Sequence, residues 1–135
     1  MIVVDASAAL EVLINAPAAQ AIAARFFAPR ETLHAPHLLD LEVAQVLRRW
    51  ERSGALASAR AEEALEDLAA LPISRYPHAV LLPRIWSLRA NATAYDAAYL
   101  ALAEALDATL VTLDRALASV PGHAARVEVV GQRSV

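Results

Sequence analysis

Four acidic side chains of this 135-residue sequence stand where a metal-dependent site could form. Asp5 directly follows the apolar run 2–4, and Asp114 comes two residues after the apolar run 110–112. Both precede segments with a helical pattern, so each lies where a predicted strand gives way to a predicted helix. Open α/β sheets bind their ligands at the carboxyl ends of parallel strands. Either aspartate could instead serve only as the N-cap of its helix, since Asp is among the preferred capping residues.

Glu42 lies on a helix predicted over residues 38–52. It is three residues after Leu39 and four before Val46, two members of the apolar stripe, so it lies on the flank of the buried face. An ionised carboxylate there is costly unless it is paired or binds a metal. The alternative is a partly exposed glutamate that pairs with Arg48 or Arg49 on the same helix. Asp40 falls on the other flank and is predicted to be a solvated or supporting acid.

Asp96 repeats this pattern on a helix predicted over residues 93–106. Its neighbours three, four and seven residues on are Tyr99, Leu100 and Ala103, which lean apolar, so it points toward the core side. The alternative is a capping box, in which Thr93 caps the helix and the side chain of Asp96, the third residue of the helix, bonds back to the Thr93 backbone. If both helices pack over the strand ends, four like charges converge, which is tolerable only with cations present.

The available ligand types favour a hard cation. The chain has no cysteine, and His34 and His37 are separated by Pro36, so we interpret them as ordinary loop or cap residues and not as a zinc pair. Carboxylate oxygens alone favour Mg²⁺, with Mn²⁺ as the alternative. All 12 basic residues are arginine, which excludes Walker-type phosphate loops and Schiff-base chemistry. Two bound divalent cations would more than offset the net charge of −3.

The alternation of elements predicts a three-layer α/β fold. Strands are predicted at residues 2–4, 32–35, 73–76, 109–112 and 127–130, and helices at 6–14, from 17 to about 27, 38–52, 57–70, 78–90 and 93–106. Strands separated by helices pair in parallel through right-handed crossovers. We expect one domain over residues 1–135. The N-terminus lacks a basic leader and no apolar stretch is long enough to span a membrane, so a cytoplasmic location is expected.

Four segments together resemble the motifs of PIN-domain nucleases, and most closely the VapC toxins of bacterial toxin–antitoxin pairs. They are VVDASA at 3–8, HLLDLEVAQVLRR at 37–49, TAYDAAYLALAEAL at 93–106 and LVTLDRAL at 110–117. The resemblance implies a PIN (flavodoxin-like) domain, with a short parallel sheet flanked by helices. It places the family's catalytic and metal-binding quartet on Asp5, Glu42, Asp96 and Asp114. Its polar supporting positions fall on Ser7, Asn91 and Thr112.

The resemblance also implies an activity and partners. The activity is Mg²⁺-dependent hydrolysis of RNA phosphodiester bonds, with Asp5 and Asp96 as principal ligands and Glu42 and Asp114 completing the set. The partners are a cognate VapB-type antitoxin, the RNA substrate and a second copy of the chain in a homodimer. Four arginines near the quartet could hold the substrate or could simply be solvated: Arg48, Arg49, Arg52 and Arg115. Five apolar residues could line a groove or lie in the core: Phe26, Phe27, Trp50, Leu68 and Leu71.

Three other functions use similar arrangements of acids. A metal-dependent phosphatase or phosphotransferase would use Asp5 as nucleophile, but such enzymes want a second Asp two residues on, where Ser7 stands, and a lysine, which is absent. A phospho-receiver module also lacks its lysine. A non-catalytic PIN-fold binding module is disfavoured by the intact quartet. Magnesium-dependent cleavage of RNA would separate these alternatives.

Overall fold

The computed structural model describes residues 1–131, and the last four residues of the predicted domain lie outside this range. Strands and helices alternate along the chain, as the sequence predicts. The strands are β1 (Ile2–Val4), β2 (Leu33–Pro36), β3 (Ile73–Tyr76), β4 (Thr109–Thr112) and β5 (Arg126–Val129). The helices are α1 (Ala6–Leu13), α2 (Ala19–Phe26), α3 (Leu38–Arg52), α4 (Ser58–Ala70), α5 (Leu82–Ser87), α6 (Ala94–Leu106) and α7 (Arg115–Ala118).

The five strands form one parallel sheet in the order β3-β2-β1-β4-β5. The central strand β1 pairs with β2 on one side and with β4 on the other, so the carboxyl ends of β1 and β4 are neighbours. All three residues of β1 are fully buried, which requires helices on both faces of the sheet. This confirms the predicted three-layer α/β fold.

Several element boundaries differ from the prediction, and proline explains the largest difference. The single helix predicted over 78–90 is wrong: a 3₁₀ turn at Ala79–Leu81 leads into the short helix α5. Pro83 lies in the first turn of α5, where its missing N–H costs no helical hydrogen bond. Pro36 closes β2 and was predicted to lie beyond it. The strand β5 begins and ends one residue earlier than expected.

The core consists of aliphatic side chains with few aromatic ones. Among the five apolar residues left open by the sequence, Phe26 and Leu68 are buried in the core, whereas Phe27 is 54% exposed. Trp50 and Leu71 are partly buried against the core. In the part of the chain that the structure describes, no helix combines the length and apolar character needed to cross a bilayer.

The predicted end of α3 at residue 52 is confirmed. Ser53 is the C-cap, and Gly54 follows with φ +80°, a left-handed conformation that costs glycine little because it has no Cβ. Ending α3 here fixes its length at four turns. It thereby fixes which residues of α3 can reach the carboxyl edge of the sheet.

Candidate active site

Asp5 lies at the carboxyl end of β1 and is only 6% exposed. Its Oδ1 accepts hydrogen bonds from the Ala8 amide at 2.9 Å and the Ser7 hydroxyl at 2.8 Å. Its Oδ2 accepts one from the Thr112 hydroxyl at 2.5 Å. The bond from Ala8 makes Asp5 the N-cap of α1, as the capping alternative predicted. Burial outweighs the three hydrogen bonds and raises the pKa of the Asp5 carboxyl to about 6.

Asp114 lies at the adjacent strand end and is exposed. It is the N-cap of α7, because its Oδ1 accepts a hydrogen bond from the Ala116 amide at 3.0 Å. Its own amide donates to the Thr112 hydroxyl at 2.9 Å, so one threonine contacts both aspartates. The negative charge of Asp114 contributes to the raised pKa of Asp5. The two strand-end acids therefore lie within electrostatic reach of each other.

Glu42 is half-buried on α3, and its partner is a tyrosine. Its Oε1 accepts a hydrogen bond from the Tyr99 hydroxyl of α6 at 2.5 Å. Within residues 1–131 it forms no ion pair, so the surface pair with Arg48 or Arg49 is ruled out. Burial raises the pKa of Glu42, and the nearby charge of Asp96 raises it further.

Asp96 lies half-buried in the first turn of α6. The Thr93 hydroxyl accepts a hydrogen bond from the Asp96 amide at 3.1 Å, so half of the capping box is present. The reciprocal bond from the Thr93 amide to the Asp96 carboxylate is not formed between these described residues. The carboxylate thus remains free for another partner. Burial raises the pKa of Asp96, and the charge of Asp114 adds to this effect.

These pairwise effects connect all four acids. The charge of Asp114 raises the pKa values of Asp5 and Asp96, and the charge of Asp96 raises the pKa of Glu42. Across the described range no three acidic or histidine side chains are already close enough together to hold a metal ion. The donor set of carboxylates and hydroxyls still suits Mg²⁺ or Mn²⁺, because Mg²⁺ is usually held by one or two carboxylates and keeps several waters. A hard divalent cation therefore fits this site by its chemistry.

Two of the three predicted supporting residues contact the site. The Ser7 hydroxyl donates to Asp5, accepts from the Leu113 amide at 3.0 Å and lies 3.3 Å from the Thr112 hydroxyl. Thr112 is fully buried. Asn91 is exposed in the turn before α6, and its side chain makes no hydrogen bond to any described residue. The structure therefore brings Ser7 and Thr112 to the acids and does not bring Asn91 into hydrogen-bond contact with them.

Tyr99 is the site residue that the sequence analysis missed, because it was counted with the apolar neighbours of Asp96. Its position three residues after Asp96, on the same helical face, was the available signal.

Asp40, in contrast, lies outside the cluster as expected. Its two carboxylate oxygens accept hydrogen bonds from Arg75 at 2.8 and 2.9 Å.

The two histidines take no part in this site. His34 was predicted to lie in a loop or cap, which is wrong: it is buried in β2, where its ring nitrogens contact the Tyr76 hydroxyl at 2.7 Å and the Thr32 hydroxyl at 2.8 Å. Its burial lowers its pKa. His37 is exposed at the N-cap position of α3.

A surface groove of about 690 Å³ has Glu42 in its wall. Arg48, Arg49 and Tyr95 also line it. Both arginines are exposed and have no ion-pair partner in the described range. Arg52 and Arg115 are not among the residues that line the groove. The groove thus joins one acid of the cluster to two available cationic side chains.

Comparison with known proteins agrees with this fold. The model of the PIN domain family matches residues 2–123. Ribonuclease VapC9 of Mycobacterium tuberculosis is 51% identical over 115 residues, which are 84% of this chain and 86% of VapC9. The crystal structure of PAE2754 from Pyrobaculum aerophilum superposes with a TM-score of 0.68 at 28% identity, covering 96% of this chain and 83% of that one. VapBC2 from Rickettsia felis gives a TM-score of 0.70 at 14% identity, covering 96% and 99%, and shares the fold.

The family match over residues 2–123, on a parallel α/β sheet, identifies the class as a PIN domain. The chain belongs to the PIN domain family and, within it, to the VapC ribonucleases.

Proposed function

We propose that this chain is the toxin of a type II toxin–antitoxin pair, a Mg²⁺-dependent ribonuclease that hydrolyses RNA phosphodiester bonds at Asp5, Glu42, Asp96 and Asp114. The proposal is supported by the position of Asp5 and Asp114 at adjacent strand ends, with Asp96 within electrostatic reach of Asp114 and Glu42 within reach of Asp96. Members of this family are metal-dependent in general, and Mn²⁺ is the alternative to Mg²⁺. The 51% identity to a ribonuclease favours RNA over the small phosphate esters of a phosphatase.

The residues of the chain would divide the chemistry as follows. Asp5 and Asp96 would hold the cation, and Glu42 and Asp114 would complete its surroundings directly or through water. The bound cation would supply Lewis acidity that offsets charge on the phosphate and lowers the pKa of a water. Ser7 and Thr112 hold the Asp5 carboxylate in one orientation through the hydrogen bonds described above. The Glu42 or Asp114 carboxylate would accept the proton of the attacking water, and the raised pKa of Glu42 suits it to that step.

Arg48 and Arg49 would hold the RNA backbone. Guanidinium groups bind phosphate oxygens in a bidentate manner, and these two line the groove that includes Glu42. Proteins read RNA sequence mainly through single-stranded loops, whose bases are accessible. A single strand laid along the groove would bring its backbone to the acids.

The remaining parts of the proposal follow from family membership. A cognate VapB-type antitoxin would inhibit the nuclease, and two copies of the chain would form a homodimer. The chain would form a single domain over residues 1–135, with a cytoplasmic location where RNA is available.

The test is cleavage of structured RNA by the purified protein, free of antitoxin, with and without Mg²⁺. We expect cleavage that requires the cation and that Asp5→Asn lowers by at least about 100-fold, since loss of ligands or their supporting partners typically costs 10–100-fold or more. The matched control is Asp67→Asn, which changes an exposed aspartate on α4 and should leave cleavage unchanged. Activity of Asp5→Asn within about tenfold of the parent would remove Asp5 as a principal ligand.

A further inference from the structure

Tyr99 is a buried side chain at the centre of the acidic cluster. It is 3% exposed and lies one turn after Asp96 on α6. Its hydroxyl crosses to α3 and donates to Glu42 Oε1 at 2.5 Å. Within residues 1–131 this is the only hydrogen bond that the Glu42 side chain makes.

The chemistry of the two groups fixes the direction of this hydrogen bond. The phenol hydroxyl of Tyr99 donates, and the ionised carboxylate of Glu42 has only acceptor oxygens. One oxygen of Glu42 is engaged by this bond, and Oε2 has no partner among the described residues.

A glutamate otherwise has considerable rotational freedom. Its side chain loses rotamer entropy when it is fixed. Glu42 is half-buried and has no ion pair in the described range that would restrict it. A short bond from a rigid, buried phenol restricts it before any cation binds, which is the arrangement that improves binding by lowering the ordering cost.

We propose that Tyr99 is a positioning residue of the nuclease site, whose hydroxyl holds Glu42 Oε1 and so leaves Oε2 as the oxygen available to the cation and its water. This inference rests on the proposed function and adds to its site a residue that positions Glu42. The alternative is that the hydroxyl merely satisfies a buried polar group, while the ring contributes to the core. Both uses require the same hydrogen bond, so the difference must be measured.

The first experiment is Tyr99→Phe, which removes the hydroxyl and keeps the ring. We expect kcat for RNA cleavage to fall by about 10–100-fold, the range seen when the partner that orients a metal ligand is lost. Calorimetric titration with Mn²⁺ alone should show weaker binding than in the parent. Because Tyr99 acts through Glu42, adding Tyr99→Phe to Glu42→Gln should cost little further activity or Mn²⁺ affinity. Equal factors in both backgrounds, or no loss in either, would overturn the proposal.

The matched control is Tyr76→Phe. Tyr76 also uses its hydroxyl to contact a buried side chain, with 2.7 Å to His34 Nδ1, but it is not bonded to any of the four acids. It should lower the melting temperature about as much as Tyr99→Phe does and leave cleavage and Mn²⁺ affinity unchanged. Equal losses of activity in the two variants would show a general effect of stability and would overturn the proposal.

A second variant covers the case in which Tyr99→Phe fails to fold. Glu42→Asp keeps the charge and withdraws the carboxylate from the Tyr99 hydroxyl by one methylene. We expect the same losses of kcat and Mn²⁺ affinity, and parental values would contradict the inference. If the parent protein cleaves no RNA at all, the proposed function fails, and the Mn²⁺ titrations of these variants still decide whether Tyr99 positions Glu42.

Discussion

At the scale of single residues, capping and catalysis are not exclusive uses of a carboxylate. Asp5 caps α1 through its Oδ1 and still accepts two hydroxyl hydrogen bonds from Ser7 and Thr112. Desolvation dominates its electrostatics, so in the absence of metal its pKa of about 6 lies close to neutrality. A cation at Asp5 would therefore compete with a proton, and affinity for the metal should fall as the pH drops below this value.

The raised pKa of Asp5 predicts a pH-dependent stability. The folded value of about 6 exceeds the ordinary value of 3.8, so the ionised group destabilises the metal-free fold above about pH 6. This penalty, roughly 3 kcal/mol from that pKa difference, disappears as the pH falls through 6 to below 3.8. Asp5→Asn should therefore be more stable than the parent at pH 8, with the advantage shrinking toward pH 4. Chemical denaturation of both proteins in EDTA checks this, and a difference independent of pH would contradict it.

Glu42 and Asp40 are two acids on one helix that should respond in opposite ways. Without metal, Glu42→Gln removes like-charge repulsion from Asp96 and the cost of burying a charge, so the melting temperature should rise while cleavage collapses. Asp40→Asn breaks the pair with Arg75, which should cost about 1 kcal/mol at most and leave cleavage intact. Thermal melts and RNA cleavage assays measure both variants. An unchanged melt with full cleavage in Glu42→Gln would remove Glu42 from the site.

At the scale of elements, two structural arrangements place the four acids. The helices α1 and α7 begin almost at once after β1 and β4, so their caps lie side by side at the carboxyl edge of the sheet. The helices α3 and α6 contribute acids from the flanks of their buried faces. Tyr99 joins these two helices through Glu42. The site is therefore built where four short connections meet.

Variants of Asp114 can separate its role as the N-cap of α7 from the role of its negative charge. Asn is as good an N-cap as Asp, so Asp114→Asn should keep the stability of the parent within about 0.5 kcal/mol while cleavage falls at least tenfold. Asp114→Ala removes the cap as well and should cost about 1 kcal/mol more. Denaturant unfolding and RNA cleavage distinguish the two effects. Full activity in Asp114→Asn would leave the cap as the whole function of this residue.

The arginines of α3 also divide into two groups. Arg48 and Arg49 line the groove beside Glu42, whereas the exposed Arg52 does not. Arg48→Ala and Arg49→Ala should raise KM for RNA several-fold and reduce the salt dependence of binding, because each removes a phosphate contact. Arg52→Ala is the matched control and should leave both unchanged. Equal effects at all three positions would indicate a general charge effect rather than a groove.

At the scale of the whole molecule, the chain has a net charge of −3. The acidic cluster of Asp5, Glu42, Asp96 and Asp114 is a place where like charges repel one another. The pKa values of Asp5, Glu42 and Asp96 are all raised, which means that each carboxylate is less favourable in the fold than in water. The arginines that form ion pairs in the described part of the chain bind other acids, such as Asp40 and Glu104. We therefore expect a bound cation to neutralise the acids of the cluster.

Divalent cations should accordingly stabilise the fold. At a Mg²⁺ or Mn²⁺ concentration about 100-fold above Kd, binding to the folded state alone adds about 2.7 kcal/mol, which should raise the melting temperature by several degrees. Ca²⁺ should stabilise the fold without supporting good cleavage, because its coordination is looser. The increase should shrink in Asp5→Asn. A melting temperature of the parent that does not respond to millimolar-range divalent cations would show that the acids bind none.

The sequence by itself predicted most of the elements and the parallel layered fold, and it singled out the four acids as candidates. Local patterns carry that information: apolar runs mark buried strands, and the flanks of apolar stripes mark inward-facing acids on α3 and α6. The tertiary structure decided which partner each acid has. Glu42 could have paired with Arg49, two turns away, but the fold places it beside Tyr99 of α6. That contact joins residues 57 positions apart, and no local pattern specifies such a distance, because it depends on how whole helices pack on the sheet.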